Sequence, residues 1–226
     1  MILAFGCSVT HGCELVHTYQ HPDNTVNSYP NLVAKYLNTD CINYSICGIS
    51  NEGIFHTILD KLPQHNNVDS IIVGWTSSMR EYWRADGRHW FVIPQWTATL
   101  KDLESAPKYA EDYEDRGTVQ KPIRASDQQE YLSELSTAYN FITKYKFDEQ
   151  EYKSKKRHYI ESIRVHCASK NIKLIETANI EPENDIKIFT DKIGEWRYGR
   201  VDHPNKLEHK LIAEKIIRHY HSSKTH

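Results

Sequence analysis

The chain has 226 residues, 39% of them apolar and 26% charged, with a formal net charge of -2. That length suits one domain able to bury a core without metal or disulfide staples, and the composition excludes a fibrous or compositionally disordered chain. The near-neutral charge gives no electrostatic basis for a nucleic-acid or anionic-membrane partner, and five cysteines with no Cys-x-x-Cys pair read as reduced thiols, with no metal and no cofactor expected.

Met1 to Gly12 is the stretch around which the rest is organised. The apolar run from Ile2 to Phe5 stops at Gly6 and delivers Ser8, followed by Thr10 and Gly12. This predicts a buried parallel strand ending in a turn that exposes one hydroxyl at the strand's carboxyl edge, where open α/β sheets place ligands. The run is too short for a membrane span and lacks the basic start of a signal peptide. The expected location is cytoplasmic, or a virion if a particle carries the protein.

Residues 13–27 are polar, with Pro22-Asp23-Asn24 as a turn signal, and predict a loop beside the site. Ser28 is the expected N-cap of a helix over 29–38, with Pro30 in its first turn and Leu32, Val33, Tyr36 and Leu37 at helical spacing. A second strand is expected over 41–46. Asn51 is the expected cap of a helix whose apolar stripe is Ile54, Phe55, Ile58, Leu59 and Leu62, ending near Pro63. Residues 70–74 form an apolar third strand, and Trp75 to Arg80 follow its carboxyl end.

Residues 81–147 read as an insertion. Tyr82, Trp83, Trp90, Phe91 and Trp96 gather around Gly87 and Pro94, which predicts an aromatic loop or small hairpin, and 101–125 is a charged excursion. Helical character returns over 126–170 with a break around Lys146 to Asp148, and Tyr152, Tyr159, Ile160, Ile163 and Val165 are expected to face inward. A strand over 172–175 and an amphipathic closing helix follow, the latter marked by Leu207, Leu211, Ile212, Ile216 and Tyr220 after Pro204-Asn205. Strands alternating with helices predict an α/β fold: a three-layer α/β/α sandwich with a central parallel sheet, in a single domain spanning 1–226.

Gly6-Cys7-Ser8-Val9-Thr10-His11-Gly12 resembles the first sequence block of the SGNH hydrolases, the GDSL esterase and lipase superfamily, with Cys7 where that block usually has Asp. Asn43 to Ser50 resembles the second block, and Gly48 takes the place of the glycine that donates a backbone N–H to the oxyanion. Gly74-Trp75-Thr76-Ser77 falls where the family has Gly-x-Asn-Asp, so Thr76 offers one hydroxyl in place of a side-chain amide. Ser77 or Ser78 can substitute as donor, and Arg80 brings positive charge. The run from Asp202-His203-Pro204-Asn205 to His209-Lys210-Leu211-Ile212-Ala213 resembles the family's closing His-Pro-Asn-x-x-Gly-His-x-x-Ile-Ala, with Glu208 replacing the glycine. The family's Asp three residues before the catalytic His is Arg200 here, and the nearest carboxylate is the adjacent Asp202.

The resemblance implies an SGNH/flavodoxin-like fold and a serine hydrolase acting on an ester or O-acetyl group, on a small molecule or a carbohydrate, through an acyl-enzyme. Ser8 would be the nucleophile, His203 the general base and Asp202 the third member; the oxyanion hole would be Ser8, Gly48 and Thr76, with Trp75, Ser77 and Arg80 as substrate contacts. Each has an ordinary reading as well: a serine after a strand commonly caps a helix, Gly48 can be a turn glycine, and one of 13 histidines is commonly a surface residue. Trp83, Trp90 and Trp96 fit a sugar-stacking platform or a small satellite core, while His17 and His21 have metal-ligand spacing without the acidic companion. The departures at positions 7, 76 and 200 carry a rival reading, a catalytically weakened SGNH-like binding or structural protein such as a phage virion component. A monomer, a weak homo-oligomer and a virion assembly all accord with the sequence.

Overall fold

A computed structural model describes residues 1–13, 15–16, 21–47, 49–76, 81–85, 88–92, 148–178, 186–187 and 204–222. Its elements in chain order are β1 (Ile2–Gly6), α1 (Ser8–His11), a 3-10 turn (Pro22–Asn27), α2 (Tyr29–Tyr36), β2 (Cys41–Asn43), α3 (Asn51–Lys61), a 3-10 turn (Leu62–Gln64) and β3 (Ser70–Trp75). After these come β4 (Glu81–Ala85), β5 (Arg88–Val92), α4 (Glu149–Ser169), β6 (Lys173–Ala178), β7 (Ile186–Lys187) and α5 (Lys206–Ser222). Residues 1–78 with 155–226 form one compact unit, and residues 79–154 form another.

In the first unit, five strands lie in the order β2-β1-β3-β6-β7 and every pairing is parallel. This is the flavodoxin-like order, in which the chain steps from β1 to one side and then returns across it. Right-handed crossovers therefore put α2 on one face and α3 on the other. On the first face α2 packs against α5, with Tyr29 stacked on His209 at 5.9 Å between centroids. On the opposite face α3 meets α4, where Phe55 stacks on Tyr159 at 5.0 Å. The expected three-layer α/β/α architecture is thus the one observed. β1 and β3 are buried along their whole length, as strands covered on both faces must be.

Several local expectations change in the folded chain. The turn after β1 is a single turn of α-helix, with Ser8 as its first residue and Gly12 as its left-handed cap at φ 85°. A side chain at Gly12 would press on the Asn24 carbonyl at 2.8 Å and on Ser28 Cβ at 2.9 Å. Ser28 holds the N-cap position of α2, but its hydroxyl donates to the Thr25 carbonyl at 2.7 Å and makes no cap bond. The orphan N–H of Tyr29 donates to His209 Nδ1 instead, at 3.0 Å. Asn51 is the first residue of α3 rather than its cap; Ser50 is the cap, accepting from Gly53 N–H at 3.1 Å. Val165 is exposed rather than inward, and α5 buries His209, Ile212, Ala213 and Ile216 while Leu207 faces out.

In the second unit, β4 and β5 pair antiparallel in register Tyr82 with Phe91 and Trp83 with Trp90, so the hairpin alternative describes this stretch. Trp96 and the 101–125 excursion lie outside the described residues, as does the helical stretch before residue 148.

Candidate active site

Ser8 leaves the carboxyl end of β1, and Thr76 leaves the carboxyl end of β3 beside it. Because the chain moves to opposite sides after these strands, the space above their ends is the crevice where doubly wound sheets take ligands. Ser8, expected to stand exposed on its turn, is 7% exposed as a residue. The helix turn itself is seated on the sheet through Thr10.

Gly6 and Gly74 are register partners on β1 and β3. A Cβ at Gly6 would collide with the Thr10 hydroxyl and approach the Gly74 carbonyl at 2.9 Å, and one at Gly74 would collide with the same hydroxyl and meet Tyr29 Oη at 2.9 Å. Two adjacent strands without side chains thus make the floor on which Thr10 rests. Thr10 Oγ1 hydrogen-bonds Tyr29 Oη at 2.9 Å, and Tyr29 Oη hydrogen-bonds Thr177 Oγ1 on β6 at 3.1 Å. Asn43 Nδ2 donates to the Thr10 carbonyl at 2.9 Å from β2. The turn that carries Ser8 is therefore tied to β2, α2 and β6 at once. Burial pushes the Tyr29 phenol above its ordinary pKa, so it stays a neutral hydroxyl shared between Thr10 and Thr177.

Thr76 is 2% exposed, and its backbone is clamped by α3: its N–H donates to Asn51 Oδ1 at 2.9 Å, and its carbonyl accepts from Asn51 Nδ2 at 3.0 Å. The Thr76 amide is consequently committed, which leaves its hydroxyl as the group able to act on a ligand. Trp75, expected at a substrate contact, is fully buried; its indole N–H donates to Glu176 Oε1 at 2.9 Å. Glu176 also accepts from Arg164 Nε at 2.8 Å, so this is a paired carboxylate holding the core of β3 and β6. Of the other predicted site residues, Gly48, Ser77, Arg80, Asp202 and His203 lie outside the described residues, as does His17.

The approach to His203 is described from Pro204 onward. Asn205 accepts from the N–H groups of Leu207 and Glu208 at 2.9 and 3.1 Å, and its own N–H donates to Glu208 Oε2 at 2.7 Å. This is a capping box, and it explains the glutamate that stands in the closing block where a glycine is usual. One turn later His209 is fully buried against Tyr29. Tyr29 thus joins the first and last segments of the chain, touching α1 through its hydroxyl and α5 through its amide.

Sequence reasoning missed Tyr29, Asn43, Asn51 and His209 as positioning residues. Asn43 and His209 stood in the resembling blocks and Asn51 at a helix start, and the strand-end glycines announced a close approach, but none of these signals named the partner. It also missed a meeting of two cysteines: Cys13 and Cys47, read from the sequence as separate thiols, bring their sulfurs within disulfide-forming reach. Cys7, Cys41 and Cys167 carry no disulfide. The pairing follows from topology, since β1 and β2 are parallel neighbours with Ala4 opposite Asn43, and the turns after them leave the sheet side by side.

No family model matches this chain, and no curated relative matches it. Among solved structures it is similar to a member of the lipolytic protein G-D-S-L family from Veillonella parvula DSM 2008, at 14% identity and TM-score 0.37 over 96% of each chain. It is similar to a family two carbohydrate esterase from Clostridium thermocellum, at 12% identity and TM-score 0.38 over 98% of this chain and 64% of that one. A psychrotrophic esterase from Pseudoalteromonas sp. is similar at 12% identity and TM-score 0.40, over 100% of this chain and 98% of the other. Likeness of that order leaves the reaction to be settled by this chain's own residues.

Proposed function

We propose that this protein is a serine hydrolase that cleaves an ester or O-acetyl group, on a small molecule or a carbohydrate, through an acyl-enzyme. The observation that carries the reading is Tyr29, which draws the turn of Ser8 and the start of α5 to one end of the sheet. A hydroxyl near one terminus and an imidazole near the other can serve one bond only if something joins those segments.

Ser8 Oγ would attack the ester carbonyl carbon while His203 takes its proton, giving a tetrahedral oxyanion. The N–H groups of Ser8 and Gly48, with the Thr76 hydroxyl, would receive that charge. Collapse expels the alcohol, which recovers the proton from His203. Water, deprotonated by the same imidazole, then attacks the acyl-serine, releasing the carboxylic acid and restoring Ser8. Adjacent side chains diverge, so Asp202 is poorly placed to orient the ring of its own neighbour, and the reading assigns the work to a Ser8–His203 dyad.

A fluorophosphonate probe tests this directly. Labelling mapped to Ser8, lost in Ser8→Ala and His203→Ala and retained in Asp202→Ala, is the expected pattern, with hydrolysis of short p-nitrophenyl esters following it. Thr76→Val should slow that hydrolysis about 100-fold if its hydroxyl donates to the oxyanion. A folded wild-type chain that neither labels nor turns over these esters would favour the rival reading, a binding or structural protein, which the departures at positions 7, 76 and 200 support.

A further inference from the structure

His11, Cys13 and Cys47 form a cluster that the ester-cleaving reading does not use. His11 ends α1, Cys13 follows its Gly12 cap, and Cys47 lies in the segment that follows β2. Their exposures are 5%, 0% and 4%. One ring nitrogen of His11 and the two sulfurs all lie within 4.8 Å of one another. The Cα atoms of Cys13 and Cys47 are 7.0 Å apart, beyond the roughly 4.4–6.8 Å that a disulfide usually spans. Two thiolates on one zinc ion, each at about 2.3 Å, hold their sulfurs farther apart than a bonded pair does, which a wider Cα separation suits.

We propose that in the reduced protein Cys13, Cys47 and His11 hold one soft divalent cation of the zinc class. Two thiolates and an imidazole select such an ion over magnesium or calcium, whose preferred ligands are oxygens. Three protein ligands leave one tetrahedral position for solvent or a small anion. The oxidised and metal-bound states exclude each other. A phosphine reductant takes one oxygen atom from water as the S–S bond accepts two electrons, yielding two thiols and a phosphine oxide; the ion then displaces the two thiol protons. Neither ligand set nor readout involves Ser8, so the proposal stands or falls apart from the hydrolase reading.

The test uses the whole chain, reduced with a phosphine under anaerobic conditions and titrated with cobalt(II). One equivalent should give the intense visible ligand-field bands of a tetrahedral site and a sulfur-to-cobalt charge-transfer band in the near ultraviolet, both bleached by zinc. Cys13→Ser and Cys47→Ser should each weaken the charge-transfer band and the binding, His11→Ala should weaken binding while keeping that band, and Cys167→Ser should leave all of it unchanged. If the cysteine variants do not fold, the wild-type chain still decides: zinc should protect Cys13 and Cys47 from alkylation, read by peptide mass spectrometry. No charge-transfer band, a band that survives unchanged in Cys47→Ser, equal alkylation with and without zinc, or a pair that stays disulfide-bonded in the reductant would each overturn the proposal.

Discussion

Thr10 shows how much of this site depends on single atoms. Its hydroxyl rests where two glycines of neighbouring strands leave room, and it reaches Tyr29 across that floor. Gly74→Ala should therefore destabilise the fold by about 1–3 kcal/mol, the usual cost of overpacking a filled interior, read as a lower urea midpoint. Tyr29→Phe keeps the ring on His209 but removes the hydroxyl shared by Thr10 and Thr177. It should cost about 1–3 kcal/mol in stability, because both buried partners lose a bond. On the hydrolase reading it should also slow fluorophosphonate labelling of Ser8, whereas a purely structural Tyr29 would lower stability and leave the labelling rate of the folded chain unchanged.

At the scale of the element, the carboxyl end of the sheet is fixed from outside by helix starts. The first residue of α3 clamps both backbone groups of Thr76, so the segment after β3 is held by a helix that precedes it in the chain. Asn51→Leu should leave the Thr76 amide and carbonyl buried without these partners and cost about 1–3 kcal/mol for each group left unpaired, measured by urea unfolding. Ser50→Ala, which removes only the cap on Gly53, should cost about 1 kcal/mol. The same logic governs α5. Glu208→Ala opens the capping box of the helix that follows His203, and Glu208→Gln should largely preserve it, since the amide oxygen can still accept from Asn205 N–H.

For the molecule as a whole, neutral acids among the described residues that burial holds above their ordinary pKa contribute to the response to alkali. Burial pushes the Cys41 thiol up to about 12 from an ordinary 9.0, and burial followed by the charge of Glu176 pushes Cys167 up to about 11. Tyr29 is raised by burial as well. Each group is protonated in the folded chain at a pH where the unfolded chain has already released its proton. Each contribution is therefore complete below the group's unfolded value, 9.0 for the two thiols and 10.0 for the phenol, and is lost as pH climbs from there towards the folded value. Urea midpoints should fall progressively above pH 9, and Cys41→Ala should fall less steeply, by at most about 1.4 kcal/mol per pH unit. An unchanged slope in that variant would show that Cys41 ionises alike in both states.

What the sequence determined by itself is local in origin. The apolar run after Met1, the run at 70–74, the helical stripe ending at Ile216 and the alternation of strand with helix depend on residues a few positions apart, so they predicted the layers of the fold and the turn carrying Ser8. Only the tertiary structure decided that Asn51 would serve Thr76 rather than its own helix, that His209 would be buried in place of Leu207, and that Cys13 would meet Cys47. Those partners lie 25, 180 and 34 residues apart in the chain, counting His209 from Tyr29. Such distances are closed by the order of strands in the sheet, and strand order is a property of how the whole chain packs rather than of any window within it.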